Sequence, residues 1–375
     1  MKRLTKTLAL ILAAAVALMS AGALAAGSPV YDADRLFTGR DMEQTADLTD
    51  AVSYTVSDGQ DIHITSGGVY VLTGAASDVT VYVEAGEDDK VQLVLDGLIL
   101  SNSDAPAIYV KEAGKVFVTV SGDSALSVSG SFAADGSAKP DGVIFSRSDL
   151  TLNGTAALTI SSSDNGIVCK DDLKITGGVI QITAASKAVE ANDSIRIADG
   201  TLILSAGTDG LHAENDSDDT LGYIYIGGGS LTITAGDDGI HAVSVVQIDG
   251  GEIAVKAGEG IEGTYIQLNG GSVSIQASDD GVNAGKKSGA YTPTIEINGG
   301  EITVVMGAGD TDAIDSNGNI VVNGGTINVT GSSSFDYDGT AQYNGGVIIV
   351  NGQQLDYIPN QMMGGAGMGG RGGWW

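Results

Sequence analysis

A single cysteine among 375 residues excludes a disulfide framework. Proline and phenylalanine number only five each and tryptophan two. Basic residues are scarce: 18 Lys and Arg stand against 47 Asp and Glu, a formal charge of 18 − 47 = −29. Binding to nucleic acid would need those missing cations to neutralise phosphates, so no nucleic-acid partner is expected. Helical Leu patterning is sparse, whereas Ser, Thr, Val and Ile abound and Gly reaches 56, roughly double ordinary usage. With 42 % hydrophobic residues the chain can build a core, so its acidity does not signal disorder. An all-β protein is expected.

The two ends differ from the middle. Residues 1–26 read as a secretory signal peptide: Lys2, Arg3 and Lys6 precede the apolar run 8–19, and Ala23-Leu24-Ala25 is a small-residue cleavage site. The run is shorter than the ~20 residues of a spanning helix, and no later segment spans a bilayer. Export to the outside, or to a loose association with the cell surface, is expected. Cleavage leaves a charge of 15 − 47 = −32. Residues 27–60 read as an N-terminal leader or cap, and 359–375 as a flexible Gly- and Met-rich tail. The tail's Gly365-Ala366-Gly367-Met368-Gly369-Gly370 formally matches a dinucleotide fingerprint but lacks the strand-to-helix context that gives such a match meaning.

Between them a repeat fills residues 61–358. Ile175-Thr176-Gly177-Gly178 returns as Ile226-Gly227-Gly228-Gly229, Ile248-Asp249-Gly250-Gly251, Leu268-Asn269-Gly270-Gly271 and Ile297-Asn298-Gly299-Gly300. The last Gly of each turn falls at 178, 200, 229, 251, 271, 300, 325 and 346. The spacings are therefore 22, 29, 22, 20, 29, 25 and 21. A unit of about 22 residues with occasional insertions is the length of one coil of a parallel β-helix. Each unit carries three short strands with period-2 alternation. Ile180, Leu202, Leu231, Ile253, Val273, Ile302, Ile327 and Ile348 would stack as one inward column. Cys169 falls on an inward position and reads as a small buried hydrophobe. A leucine-rich repeat is excluded because no helix alternates with the strands.

Chemistry concentrates at a second marker, 9 or 10 residues after most Gly turns: Asp209, then Asp237-Asp238, Glu259 and Asp279-Asp280, with Asp312 following a small insertion. Coils rise ~4.8 Å, so these carboxylates would form a ladder. Stacked carboxylates must raise their pKa values, splay into solvent or share cations. Oxygen-only donors suit a hard cation, and outside a cell that is Ca²⁺. The alternative is a solvated acidic turn. EF-hand spacing is absent. An outward column runs beside the ladder through Glu190, His212, His241, Glu262, Asn283 and Asp315. Zinc at His212 and His241 would want further nitrogen or sulfur ligands, and His63 is the only other histidine.

Lys187 replaces Asp209 one coil earlier. It reads either as the base of a polysaccharide lyase or as a cation relieving repulsion from Asp209. On the first strand, Arg196, Tyr225, Gln247 and Gln267, with Tyr223 and Tyr265 beside them, read either as a sugar platform or as an ordinary solvated face. Insertions 214–222 and 285–293 would wall one edge of a groove.

These motifs resemble a family: the secreted bacterial carbohydrate-binding parallel β-helix proteins, similar to calcium-dependent pectate lyases and described as cellulose- and pectin-binding. The resemblance begins at Leu36-Phe37-Thr38-Gly39-Arg40-Asp41 and continues through Gly68-Val69-Tyr70-Val71-Leu72-Thr73-Gly74. It runs on through Glu259-Gly260-Ile261-Glu262-Gly263 and Asp279-Asp280-Gly281-Val282-Asn283 to Asp336-Tyr337-Asp338-Gly339. It implies a right-handed single-stranded parallel β-helix, bound calcium, and a polysaccharide partner such as cellulose or pectin-type polyuronate. Calcium is carried onto the acidic positions Asp209, Asp237, Asp238, Glu259, Glu262, Asp279, Asp280 and Asp312. Lys187-Ala188-Val189 departs from the family's usual Lys-Gly-Ile. The expected function is polysaccharide binding without cleavage. A calcium-dependent lyase using Lys187 or Lys170 as base is the first alternative and a structural surface stalk or adhesin the second. Oligomeric state is not legible in the sequence.

Overall fold

The computed structural model describes residues 28–308 and 311–361, so the expected signal peptide, most of the tail and Asp310 lie outside the described residues. The protein is all-β: the described residues form one four-residue helix, Ala33–Leu36, and a single large sheet whose pairings are almost all parallel. No described helix is long and apolar enough to cross a membrane.

The repeat generates the pairing. Val179–Ala184 pairs with Thr201–Ala206, which pairs with Ser230–Thr234, each strand lying beside the strand one repeat later. Ile180, Leu202, Leu231, Ile253, Val273, Ile302, Ile327 and Ile348 stand in one continuous register, all buried. Alternate residues of these strands are solvent-facing, so one side chain in two enters the core.

The turns depend on glycine. The last Gly of each turn, from Gly178 to Gly346, holds a φ between +81° and +124°, which disfavours any Cβ. At Gly251 an added Cβ would also stand 3.0 Å from Gly229 O in the turn beneath.

Not every unit has three separate strands: Gly68–Ser77 and Lys90–Asn102 each run from a first strand into a second, and two later strands run through another corner. Asp238–Ile248 and Glu259–Leu268 each run unbroken from third strand into the next first strand, with a register irregularity at Ala242/Val245. In the flanking units the insertions 214–222 and 285–293 interrupt the chain at that corner. The insertions themselves meet: Ser288 Oγ donates to Asp219 O at 2.6 Å, and Ser288 N donates to Thr264 Oγ1 at 2.8 Å.

The leader differs from expectation in place and boundary. Its strand Val52–Thr55 already pairs with Gly68–Ser77, so the repeat begins before residue 61. Residues 28–44 lie along the first-strand face. Gln247 accepts from Tyr31 N at 2.7 Å and donates to Tyr31 O at 3.0 Å. Gln267 treats Val30 N and Ser28 O in the same way, at 3.1 and 3.0 Å. Farther along, Gln44 donates to Thr176 O and accepts from Gly154 N, both at 3.0 Å. At the other end Gln353–Leu355 turns back antiparallel on Val347–Val350, and Gln361 Oε1 accepts from Ser334 N at 2.6 Å. Residues 359–361, expected to be tail, are thus adjoined to the fold through Gln361.

Candidate functional site

Strand register places two columns side by side along the third strand. One is the expected ladder: Lys187, Asp209, Asp238, Glu259, Asp280 and Asp312 follow one another through parallel backbone bonds. The other, three residues on, runs Glu190, His212, His241, Glu262, Asn283, Asp315 and Asp336. Continued toward the N-terminal end, this second column passes Val168 to Phe145, Tyr109, Tyr82 and His63. The result is one strip with an aromatic end, a basic stretch, an imidazole stretch and an acidic end.

At the aromatic end His63 stacks on Tyr82 with centroids 5.0 Å apart, and Tyr109 meets Phe145 edge-on at 5.5 Å. Lys111 Nζ lies 4.6 Å from the Tyr82 ring and is anchored to Asp135 at 3.0 Å. Tyr109 and Phe145 are buried, Tyr82 is half-buried and His63 exposed. This column was not anticipated. Its only signal is an aromatic every 19 to 36 residues within irregular coils, which is unreadable without register.

In the basic stretch Lys187 Nζ lies 3.2 Å from Glu190 Oε2, and Lys170 Nζ 2.8 Å from Glu190 Oε1. The expected partner of Lys187 was Asp209. Asp209 Oδ2 instead faces His212 Nδ1 at 2.9 Å, while Glu190 sits between two lysines. A cleft of about 350 Å³ lined by Lys170, Lys187, Glu190, His212 and Glu214 opens here, beside the 214–222 insertion.

Beyond it, Asp238 Oδ2 stands 2.9 Å from His241 Nδ1, and Lys287 from the second insertion reaches Glu262 Oε1 at 2.6 Å. Three of the eight carboxylates expected to hold calcium, Asp209, Asp238 and Glu262, are therefore met by imidazoles or a lysine. Asp237 and Asp279 are exposed beside the ladder.

At the acidic end, no lysine or imidazole among the described residues pairs with Glu259, Asp280 or Asp315. Burial pushes Asp315 up to about 7, with Asp280, Asp312, Asp336 and Asp338 adding repulsion. Burial likewise pushes Glu259 to about 7 against an opposing hydrogen bond from Asn283, and Asp280 to about 6. Asn283 Oδ1 and Asp336 Oδ1 are buried oxygens without hydrogen-bond partners. Buried oxygen donors, net negative and under-satisfied, are of the type a hard divalent cation takes, although these carboxylates are in neither of the two groups of described residues whose three donor atoms lie within 4.8 Å of one another. Glu259, Asp280 and Asp312 belong to the expected set. Asp315 and Asp336 are not among the expected calcium positions: Asp315 is expected only as a member of the outward column, which Asp336 continues by one strand.

The expected sugar platform is not an open surface. Tyr223, Tyr225, Gln247 and Gln267 are buried, and Arg196 and Tyr265 are half-buried. Residues 28–44 cover this face. Tyr31 stacks on Tyr223 at 4.1 Å and Phe37 packs toward Tyr225 at 6.1 Å, while Arg196 makes a two-pronged contact with Asp172 at 2.7 Å. Tyr265 donates to Glu296 at 2.5 Å. Tyr223, Tyr225, Gln247 and Gln267 hold the chain's own N-terminal segment, and Arg196 reaches Leu36 O at 3.5 Å. Cys169 is buried as expected, and burial pushes its thiol up.

Comparison with known proteins adds the following. A family model described as "Carbohydrate-binding domain-containing protein" matches residues 58–339. A protein of that same description from Acetivibrio thermocellus is 34 % identical over 160 residues, which cover 41 % of this chain and 52 % of the relative. The match thus spans about half the length of the curated relative. A solved structure of a polysaccharide lyase-like protein from C. thermocellum, a gadolinium derivative, is 23 % identical with a TM-score of 0.45, covering 78 % of this chain and 98 % of that one. The matched segment of the family model takes in both columns of the strip from His63 to Asp336, and the chain belongs to the carbohydrate-binding-domain family.

Proposed function

We propose that the chain is a secreted, calcium-bearing, right-handed parallel β-helix that binds polysaccharide along the third-strand strip without cleaving it. Family membership supports a carbohydrate ligand. The observation that carries the calcium reading is the acidic end, where Glu259, Asp280 and Asp315 are pushed up by burial and mutual repulsion. Calcium held there by Glu259, Asp280, Asp312, Asp315 and Asp336 would relieve that repulsion. With a formal charge of −29 on the whole chain, a polyuronate would be repelled unless cations bridge carboxylate to carboxylate. The half-buried Tyr82 and the exposed His63 offer rings for stacking a neutral sugar at the opposite end.

The lyase alternative is less well supported. A lysine acting as base must accept a proton, yet Lys187 and Lys170 both donate toward Glu190, an arrangement suited to holding charge. Lys187 serves better as a contact for a ligand carboxylate at the mouth of the cleft.

Co-sedimentation with cellulose and with polygalacturonate gel, each with calcium and with a chelator, tests the reading. Binding to polygalacturonate that is lost with chelator is the expected result. Failure with both polymers would leave a surface stalk or adhesin as the account. Ultraviolet-absorbing unsaturated uronate products, abolished by Lys187→Ala, would establish the lyase.

A further inference from the structure

The imidazole stretch of the strip has a chemistry distinct from the acidic end. His212 and His241 are register partners in adjacent strands, with ring centroids 4.7 Å apart. Each is held by a carboxylate on one nitrogen. Glu214 Oε2 takes His212 Nε2 at 3.1 Å, and Asp238 Oδ2 lies 2.9 Å from His241 Nδ1. The opposite nitrogens, His212 Nδ1 and His241 Nε2, are both buried and have no hydrogen-bond partner.

Asp209 completes the group. Its Oδ2 lies 2.9 Å from His212 Nδ1 without the alignment of a hydrogen bond, and the side chains of both residues are 7 % exposed. If Nε2 carries the His212 proton toward Glu214, then Nδ1 and the Asp209 carboxylate present two lone pairs to each other. Only a proton or a cation between them makes that stable. One donor atom each from Asp209, His212 and His241 lies within 4.8 Å of the others.

We propose that Asp209, His212 and His241 form a binding site for a borderline divalent transition metal of the Zn²⁺ class, separate from the calcium-type acidic end. Two imidazoles and one carboxylate favour such a metal over Ca²⁺, and three protein ligands leave a fourth position open. Asp238 and Glu214 are the outer carboxylates that fix each ring's tautomer and aim the unprotonated nitrogen at the ion. The neighbouring group Asp238, His241 and Glu262 is the poorer candidate, because it has one imidazole and Lys287 already occupies Glu262. The inference does not depend on polysaccharide binding.

The test is calorimetric titration of the untagged, chelator-stripped chain with Zn²⁺ in saturating Ca²⁺, together with Co²⁺ absorption spectroscopy. One equivalent of Zn²⁺, bound despite excess Ca²⁺, and visible bands of low-coordinate Co²⁺ are expected. His212→Gln and His241→Gln should each weaken binding on the order of 100-fold or more, and Asp238→Asn on the order of 10–100-fold. No Zn²⁺ uptake, displacement by Ca²⁺, or binding unchanged in both histidine variants would overturn the site. Should those variants fail to fold, X-ray absorption on the wild-type zinc protein decides: two imidazoles around the metal uphold the proposal, and none refutes it.

Discussion

Asp41 Oδ1 lies 2.5 Å from Lys115 Nζ, 74 residues away, and its other oxygen lies 3.3 Å from Lys174 Nζ. Asp41 is fully buried, and Thr38 and Thr151 donate to the same carboxylate. The leader is thus fastened to the first-strand face by one carboxylate shared between cations from separate repeats. Removing one partner of a buried pair leaves the others uncompensated. Asp41→Ala should lower stability by about 3–5 kcal/mol, read from denaturant midpoints. A loss below about 1 kcal/mol would mean the leader is not energetically fastened there.

The same carboxylate sets an acid limit. Burial alone would raise its pKa, but the lysines and the Thr38 N–H outweigh that and hold it well below the usual value of 3.8. A depressed folded pKa contributes stability that is present above pH 3.8 and lost as pH falls toward the folded value. Unfolding monitored by circular dichroism should therefore steepen below about pH 4. In Asp41→Asn that acid-dependent part should be missing.

Asp171 behaves oppositely. Burial, with Asp149 and Asp193 nearby, pushes it up to about 6. Its ionisation in the folded state costs stability, increasingly so as pH rises from its ordinary value through 6. Asp171→Asn should raise stability at neutral pH by about 1 kcal/mol, after allowance for partial solvent screening, and make little difference at pH 4. Melting temperatures of the pair at both pH values check this.

Calcium should raise the melting temperature of the wild type. A ligand at 100 times its Kd adds about 2.7 kcal/mol to the folded state. Asp315→Asn and Asp280→Asn should remove most of that shift, whereas Asp237→Asn and Asp279→Asn, on exposed side chains, should retain it. Equal effects from all four would place the ion on the exposed turns instead.

The covered first-strand face gives a contrasting result. Tyr225→Ala should destabilise the fold by about 3–5 kcal/mol as a buried aromatic truncation, with polysaccharide binding per folded molecule unchanged. Loss of binding at full stability would restore that face as a ligand surface.

Gly236 tests the stacking itself. A Cβ there would stand 2.1 Å from Gly207 O in the repeat beneath. Gly236→Ala should cost about 1–3 kcal/mol through overpacking, measurable as a shifted denaturant midpoint.

Much of the architecture was legible because a repeat writes the same constraint many times. The Gly spacings 22, 29, 22, 20, 29, 25 and 21 are also the register offsets from Ile180 to Ile348. The outward column from Glu190 to Asp315 follows from the same period. The early aromatic column was not legible, since irregular coils carry no fixed turn from which to count. The partner of Lys187 was missed for a different reason. Sequence order put Asp209 above it, but side-chain reach put Glu190 closer.

By itself, then, the sequence determined what recurs: strand alternation, glycine corners, stacked carboxylates and the core column. Only the tertiary structure decided which outward face stays open. Tyr223, Tyr225, Gln247 and Gln267 have the composition of a ligand surface, and alternation alone makes them outward. They are buried because residues 28–44 bring main-chain donors and acceptors that match the two glutamines, a pairing with no period to reveal it. Likewise, which carboxylates are met by a nitrogen was settled by His212 and His241, each three residues on from Asp209 and Asp238 in the same repeat, and by Lys287 reaching across to Glu262. That leaves the unbalanced charge at Glu259, Asp280 and Asp315, where burial and repulsion act together.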